Sequence, residues 1–467
     1  MTTERWSSQF GFVLATVGAA VGLGNVWRFS AVVGQNGGGA YLVPYLAAVV
    51  LCAVPMLVLE LGVGRRLRTD LVSAFGTVGR EYRMVGWAVL GGVLLLASYY
   101  LVLTGWVLGF FVGWLGGART TFAAFVTGWT PVAGFLAATA ITGVVVSGGV
   151  RSGIERLTTV AMPTAALLLV GLAVYGATLS GWDTAVAFLF TPRLAALTDL
   201  GVWSAAFGQV FFSMSVGQGV MLTYGSYVTD ETDLLESSVV VVVADVAAAL
   251  VAGLVVFPIV FSFGLQPTLG TELAFTTLPT AFRVMPLGRL VAVCFFGLLA
   301  LAALSSSVAL LEVGVAAAET TTRLSRSGAT ALTTAGVVLA GVPSALSYSP
   351  VGLTALGRPV LDVIDESVGT FALPLSALCL VAVFVWVADD DATRSELGRL
   401  FPAVKYLIPT VLVVVVAARA GGVTGPAWRL LLGRASGDGV AVVVAVLLAG
   451  LAAAVAWLSL SRLRRTG

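Results

Sequence analysis

Apolar stretches of about 18 residues or more recur along nearly the whole chain, and nothing else constrains its fold as tightly. Each is long enough to cross a hydrocarbon core of roughly 30 Å as a helix, which satisfies its own backbone polar groups where no water can. A barrel would instead show alternating segments of about ten residues, and these are absent. Composition agrees: 58% of the 467 residues are hydrophobic and 10% are charged, against about 25% charged in an ordinary soluble domain. The sequence predicts an all-α polytopic membrane protein of about twelve transmembrane helices, near 9–29, 38–60, 84–115, 131–149, 158–179, 201–226, 237–263, 287–317, 329–347, 367–388, 402–420 and 438–461.

With that numbering, sixteen of the twenty-five Lys and Arg residues fall in the tails and loops of one side. The positive-inside rule then puts both termini in the cytoplasm of a multi-pass cell-membrane protein. The opening "MTTERWSSQF" lacks the basic region, short apolar core and small-residue cleavage site of a signal peptide, so the first span is expected to be kept. Cys52, Cys294 and Cys379 lie far apart inside apolar spans and read as small buried hydrophobes, not a disulfide framework. The chain has no histidine, which excludes imidazole relays and His-based metal or triad chemistry. A net charge of +2 argues against nucleic acid as a partner.

Two spans are unlike the rest. The first carries "GAAVGLGN" and the sixth "FFSMSVGQG", five spans apart, the spacing an inverted repeat of five plus five helices produces. Broken helix is tolerated in a bilayer only where freed backbone lines a cavity or meets protein, so paired breaks point to a midplane site. Close helix packing through Gly18 and Gly22 is the alternative.

Four ionisable residues, Arg28, Glu60, Asp245 and Glu312, sit inside apolar spans, where each costs about 2.5 to 3.5 kcal/mol or more if unpaired. Asp245 interrupts "VVVVVADVAAALVAG" with no basic residue in its span, so its compensation comes from another helix, a proton or a bound cation. Glu60, near "LGVGRR", can snorkel or bond to broken backbone. Ser305, Ser306 and Ser307 are consecutive in a helix, so they diverge by about 100° each and at most two can face one site. Back-bonding to the preceding turn is their other use. Together with Asn25, Ser213 and Asp245 they form an oxygen-rich set without His or thiolate, which suits Na⁺ better than a transition metal. The tandem tyrosines 99 and 100 serve either packing or a substrate.

Seven segments in order, "WSSQFGFVLATVGAAVGLGNVWRF", "QNGGGAYLVPY", "VPMLVLELGVGR", "SYYLVLTGW", "GVRSGIERLTTVAMP", "VWSAAFGQVFFSMSVGQGVMLTYGSYV" and "LAALSSSVALLE", resemble the neurotransmitter:sodium symporter family, in its prokaryotic amino-acid transporter branch. The resemblance runs over about residues 6–388. It implies two inverted repeats, 1–180 and 181–388, with helices one and six broken at the substrate site, and two peripheral helices in 389–467. It also implies two sodium sites. One maps onto the Ala20 carbonyl, Asn25, Ser213 and Asp245, the other onto the carbonyls of Gly18, Val21 and Ala302 with the hydroxyls of Ser305 and Ser306. The substrate pocket maps onto Ala19, Ala20, Gly22, Leu23, Gly24, Leu96, Tyr100, Phe212, Ser213, Ser215, Gln218, Ser306 and Leu310. The outer gate maps onto Arg28 and Asp365, over an aromatic layer of Tyr100 and Phe212. Glu60 maps onto an acid that supports the broken sixth helix.

The chain also departs from the family pattern. Gln218 stands where many relatives have a large apolar side chain, which makes a purely aliphatic substrate less secure. Asp245 supplies a fixed negative charge where chloride-dependent members are neutral, so chloride independence is expected. Thr3 replaces the usual inner-gate arginine and Thr320 its acidic partner, leaving Arg5 and Glu319 as the candidate inner pair. The leading function is sodium-coupled uptake of an amino acid or related small zwitterion by alternating access, with no covalent chemistry. A membrane sensor that binds sodium and amino acid without transport is the alternative. An ion channel is weaker, for want of a filter motif, and an enzyme weaker still, for want of a nucleophile and base. The particular amino acid and the oligomeric state are not legible.

Overall fold

The computed structural model describes residues 4–118, 121–192, 197, 199–266 and 271–422. Its elements in chain order are α1 (Gln9–Ala20), α2 (Gly24–Gln35), α3 (Gly39–Leu67), α4 (Leu71–Val78), α5 (Arg80–Leu115), α6 (Phe122–Val126), α7 (Thr130–Ser147), α8 (Val150–Gly176) and α9 (Trp182–Phe190). There follow α10 (Leu200–Ser213), α11 (Val220–Ser226), α12 (Leu234–Ser262), α13 (Leu273–Phe282), α14 (Gly288–Thr322) and α15 (Arg326–Ser347). A two-stranded hairpin, β1 (Thr354–Ala355) and β2 (Arg358–Pro359), leads to α16 (Val360–Ser367), α17 (Leu373–Val387), α18 (Asp391–Leu400) and α19 (Ile408–Gly422).

Helix starts follow the sequence's polar punctuation. Ser8, Asp70, Asp233 and Ser325 each accept a backbone N–H of the first turn, giving α1, α4, α12 and α15 a partner for an otherwise orphaned donor. The hairpin turns on Leu356 and Gly357, both at positive φ (53° and 74°), as a two-residue turn requires.

Helix occupies each of the first eleven expected spans; the twelfth, 438–461, lies outside the described residues. By length and hydropathy alone, seven helices suffice to cross a membrane among the described residues, and up to nine if each of two bent pairs counts as one span. Some boundaries differ from expectation. The fifth helix begins at Val150, because a wide turn over Val150–Glu155 carries the charged "RSGIE" that hydropathy excluded. The first continues to Gln35 beyond its break. The sequence reading passed over α13, which is too short to span; its Phe275 packs among Trp27, Trp106, Phe110 and Phe296.

α14 and α5 pack along one another at the centre, with α1, α8, α7 and α15 around them. α3 and α11 touch backbone to backbone: a Cβ on Gly64 would sit 2.0 Å from the Leu222 carbonyl oxygen, and one on Gly225 2.5 Å from that of Leu61. Large apolar side chains on α8 and α15 face outward, Leu167 and Leu339 each 75% exposed. Apolar surface of that kind suits lipid, not water.

α18 lies under one end of the molecule. Arg65 reaches Glu396 at 2.5 Å and Arg66 reaches Asp390 at 2.8 Å, tying the end of α3 to it. Partial burial works against ionisation of Asp390, but the Thr393 amide and hydroxyl and Arg66 prevail and hold its carboxyl below the usual range.

Candidate functional site

Asp245 projects from the middle of α12 and is fully buried. Asn25 Nδ2 donates to its Oδ1 at 2.7 Å, and the Ser213 hydroxyl lies 3.1 and 3.0 Å from its two oxygens. Asn25 follows the break between α1 and α2, and Ser213 ends α10 just before the second break. One carboxylate therefore ties both interruptions to α12. Among the described residues no cation pairs with it, so neutral donors from other elements supply its compensation.

The first break is built from small residues. The helix ends as Val21 turns to ψ 100°, and the chain resumes at an angle of 53°. Asn25 Oδ1 accepts the Gly22 amide at 2.9 Å, and Gln209 Nε2 donates to the Gly24 carbonyl at 3.1 Å. A Cβ on Gly22 would lie 2.7 Å from Ser306 Oγ and 2.8 Å from the Tyr100 hydroxyl oxygen, so a larger residue there would fill the gap. The second break runs from Met214 to Gly219, with Ser215, Gly217 and Gly219 at φ 51°, 80° and 70°. The Glu60 carboxylate accepts the Gly217 amide at 2.5 Å. Of the two uses the sequence left open for Glu60, it is bonding to broken backbone that the geometry takes.

A second group of oxygens meets between α1 and α14. The Ser306 hydroxyl lies 3.2 Å from the carbonyl oxygens of both Gly18 and Ala302, and Ser305 Oγ donates to Ala302 at 2.9 Å. Ser307 faces away and pairs with Thr104 at 3.1 Å. The donors at both groups are carbonyl, hydroxyl and amide oxygens with a single carboxylate, a set suited to a hard monovalent cation. Among the described residues no group of three or more His, Cys, Asp or Glu converges on a metal position.

Between the breaks lies a narrow cavity of about 30 Å³, bordered by Ala19, Ala20, Gly22, Gly24, Leu96, Tyr100, Phe212, Ser213, Ser215, Gln218, Ser306 and Leu310. Leu23 borders instead the wider vestibule above, about 710 Å³, which opens toward the hairpin end. Its amide donates to the Tyr100 oxygen at 3.3 Å. Tyr100, Phe212 and Gly24 border both spaces. Arg28 lies over the Phe212 ring, 3.9 Å from its centroid. Arg28 and Asp365, the pair expected as an outer gate, both line the vestibule without a direct ion pair between them.

At the opposite end residues 4–7 plug the bundle. Trp6 Nε1 donates to the Tyr224 carbonyl at 3.1 Å, the Ser7 amide to Glu155 at 2.9 Å, the Val150 amide to Glu4 at 3.2 Å and Arg151 Nε to the Arg5 carbonyl at 3.0 Å. A cavity between two broken helices, open at one end and plugged at the other, is the outline of a transporter.

A family model described as the sodium:neurotransmitter symporter family matches residues 3–117 and 129–415. The chain belongs to that family. It is 34% identical over 438 residues to the uncharacterized sodium-dependent transporter YhdH of Bacillus subtilis, covering 88% of this chain and 96% of YhdH. An uncharacterized sodium-dependent transporter of Haemophilus influenzae is 30% identical over 445 residues, covering 88% and 97%. The crystal structure of MhsT in complex with L-phenylalanine superposes with a TM-score of 0.81 at 35% identity, over 88% of this chain and 98% of that one. The chain is thus a multi-pass membrane protein of a symporter family, a family of transporters and not of enzymes.

For a member of this family, the inner charge pair differs from the expectation of Arg5 with Glu319. Glu319 is 3.0 Å from Arg326, and Arg326 also forks onto buried Glu312 and donates to the Val146 carbonyl at 2.9 Å. The Tyr227 hydroxyl donates to Glu312 at 2.6 Å. The reason is proximity: α14 and α15 are joined by a turn of three residues, so an arginine at the start of one reaches acids on the other, while Arg5 is held at its carbonyl by Arg151. The sequence contained the signal, a buried acid in span eight and an arginine fourteen residues on, at the same end of a helical hairpin. Gln209 and Glu155 carried no such signal.

Proposed function

We propose that this protein is a sodium-coupled symporter that imports an amino acid or related small zwitterion by alternating access. The observation that carries it is the convergence of both helix breaks on Asp245, beside a cavity that adjoins the vestibule at the hairpin end. In this reading the hairpin end faces outside and both termini are cytoplasmic. Residues 1–180 and 181–388 act as inverted repeats, with 389–467 peripheral.

The Gly24 amide, the Leu23 amide once it exchanges its bond to Tyr100, and the Tyr100 hydroxyl receive the substrate carboxylate, where the start of α2 adds a favourable dipole. One Na⁺ is held by Ala20, Asn25, Ser213 and Asp245 and touches that carboxylate. A second is held by Gly18, Val21, Ala302, Ser305 and Ser306. Ion and substrate then stabilise each other, and by reciprocity an inward sodium gradient loads and drives the substrate. The fixed charge of Asp245 makes chloride unnecessary. Closure brings Phe212 over the cavity and Arg28 toward Asp365. Release requires the plug at Trp6 to leave and the link of Tyr227 to Glu312 to break.

A thermal-shift screen of the twenty amino acids with and without Na⁺ tests the binding half of this reading. A ligand that binds only the folded state raises the melting temperature, by about 2.7 kcal/mol of stabilisation at a hundredfold excess over Kd. At least one amino acid is expected to stabilise the protein in Na⁺ and not in K⁺. Stabilisation indifferent to the cation would contradict the reading.

A further inference from the structure

The central cavity contains an amide with nothing to bond. Gly24, Tyr100 and Phe212 are shared with the vestibule, whereas Gln218 borders the cavity alone, together with Leu96, Leu310 and the small residues of the two breaks. Gln218 is 3% exposed, and among the described residues its carboxamide has no hydrogen-bond partner. Its neighbours are pinned: a Cβ on Gly217 would lie 2.6 Å from that of Ala377, and one on Gly219 2.8 Å from Leu71. With both flanking glycines at positive φ and the Gly217 amide bound to Glu60, the turn is held with Gln218 on its cavity side.

A carboxamide offers two donors and an acceptor, and leaving them buried against an aliphatic ligand forfeits bonds that water would have made. Sites built around such a group discriminate against ligands that cannot pair with it. Among the described residues no carboxylate, ammonium or guanidinium borders the cavity, so a charged side chain would be buried there without a counter-charge. Leu96 and Leu310 bracket an apolar stem.

We propose that Gln218 sets the substrate class: a neutral α-amino acid whose side chain ends in a hydroxyl or carboxamide that pairs with the Gln218 amide. The inference rests on the amino-acid transport reading above. It is tested on the purified full chain in Na⁺ by calorimetric binding of three near-isosteric pairs: L-threonine and L-valine, L-glutamine and L-methionine, L-tyrosine and L-phenylalanine. In at least one pair the polar member is expected to bind about tenfold more tightly, and Gln218→Leu to abolish or reverse that ratio while binding stays Na⁺-dependent. Gln218→Met, close in length, provides the same comparison if the leucine variant folds poorly. Na⁺-dependent binding in which apolar members equal or exceed their partners in every pair, or ratios unmoved by both substitutions, overturns the inference alone. Absence of Na⁺-dependent binding by all six overturns the transport reading and the inference with it.

Discussion

Asp245 binds two broken elements with one carboxylate, so its charge and its hydrogen bonding can be separated. Asp245→Asn keeps the shape and an acceptor but removes the charge. In proteoliposomes the parent is expected to show the same sodium-driven uptake when gluconate replaces chloride, while the variant falls about tenfold or more in gluconate, the equivalent of one lost charge-assisted contact. A parent that itself requires chloride would contradict the role given to Asp245. The serines of α14 make a second case: Ser305→Ala with Ser306→Ala is expected to raise the sodium concentration for half-maximal binding about tenfold. An unchanged sodium curve would remove them from the ion's surroundings. At this scale much was legible in the sequence, because intramembrane polarity is costly and so is placed for a reason. Three consecutive serines could not all face one site, and Ser307 does turn to Thr104 instead. Gln209, which anchors the Gly24 carbonyl, was not legible, since one more polar residue in span six carries no pattern that names its partner.

Among the elements, the breaks announced themselves through glycine and polar residues where a plain span would have leucine, and their distance apart was readable before any contact was known. Helix ends were less so. Hydropathy trimmed the fifth helix at its charged turn, whereas Glu155 there is used to hold Ser7. The inner link of α11, α14 and α15 depends on a helical hairpin bringing Arg326 to Glu312 and Glu319, a tertiary fact that linear spacing does not state. That link belongs to the closed side of the bundle. Removing one hydroxyl from it by Tyr227→Phe leaves the buried ion pair in place, so the fold is expected to survive while the seal loosens. In a background without native cysteines, a cysteine at Thr158, fully buried on α8 between Glu155 of the plug and Gly18, is expected to react with a thiol reagent several-fold faster in the variant, as a weaker seal populates the open state more often. Equal reaction rates would show that the link does not hold the seal.

As a whole, the molecule faces one way: the vestibule leads down to Tyr100 and Phe212, and the residues around Trp6 close the other end. An alternating-access symporter must exchange this arrangement for its opposite, with sodium and substrate shifting the balance only through their unequal affinity for the two. The membrane class and the order of spans followed from length and apolar content. Which end was open did not, because that is a property of how the finished helices pack. The most direct test of sodium-coupled transport is uptake of a labelled amino acid, chosen by the thermal-shift screen, into proteoliposomes under an imposed inward Na⁺ gradient. Accumulation above the outside concentration, abolished when K⁺ replaces Na⁺ or when the gradient is collapsed, is the predicted result. Sodium-dependent binding without accumulation, and without exchange of label in counterflow, would contradict it and mark the protein as a sensor.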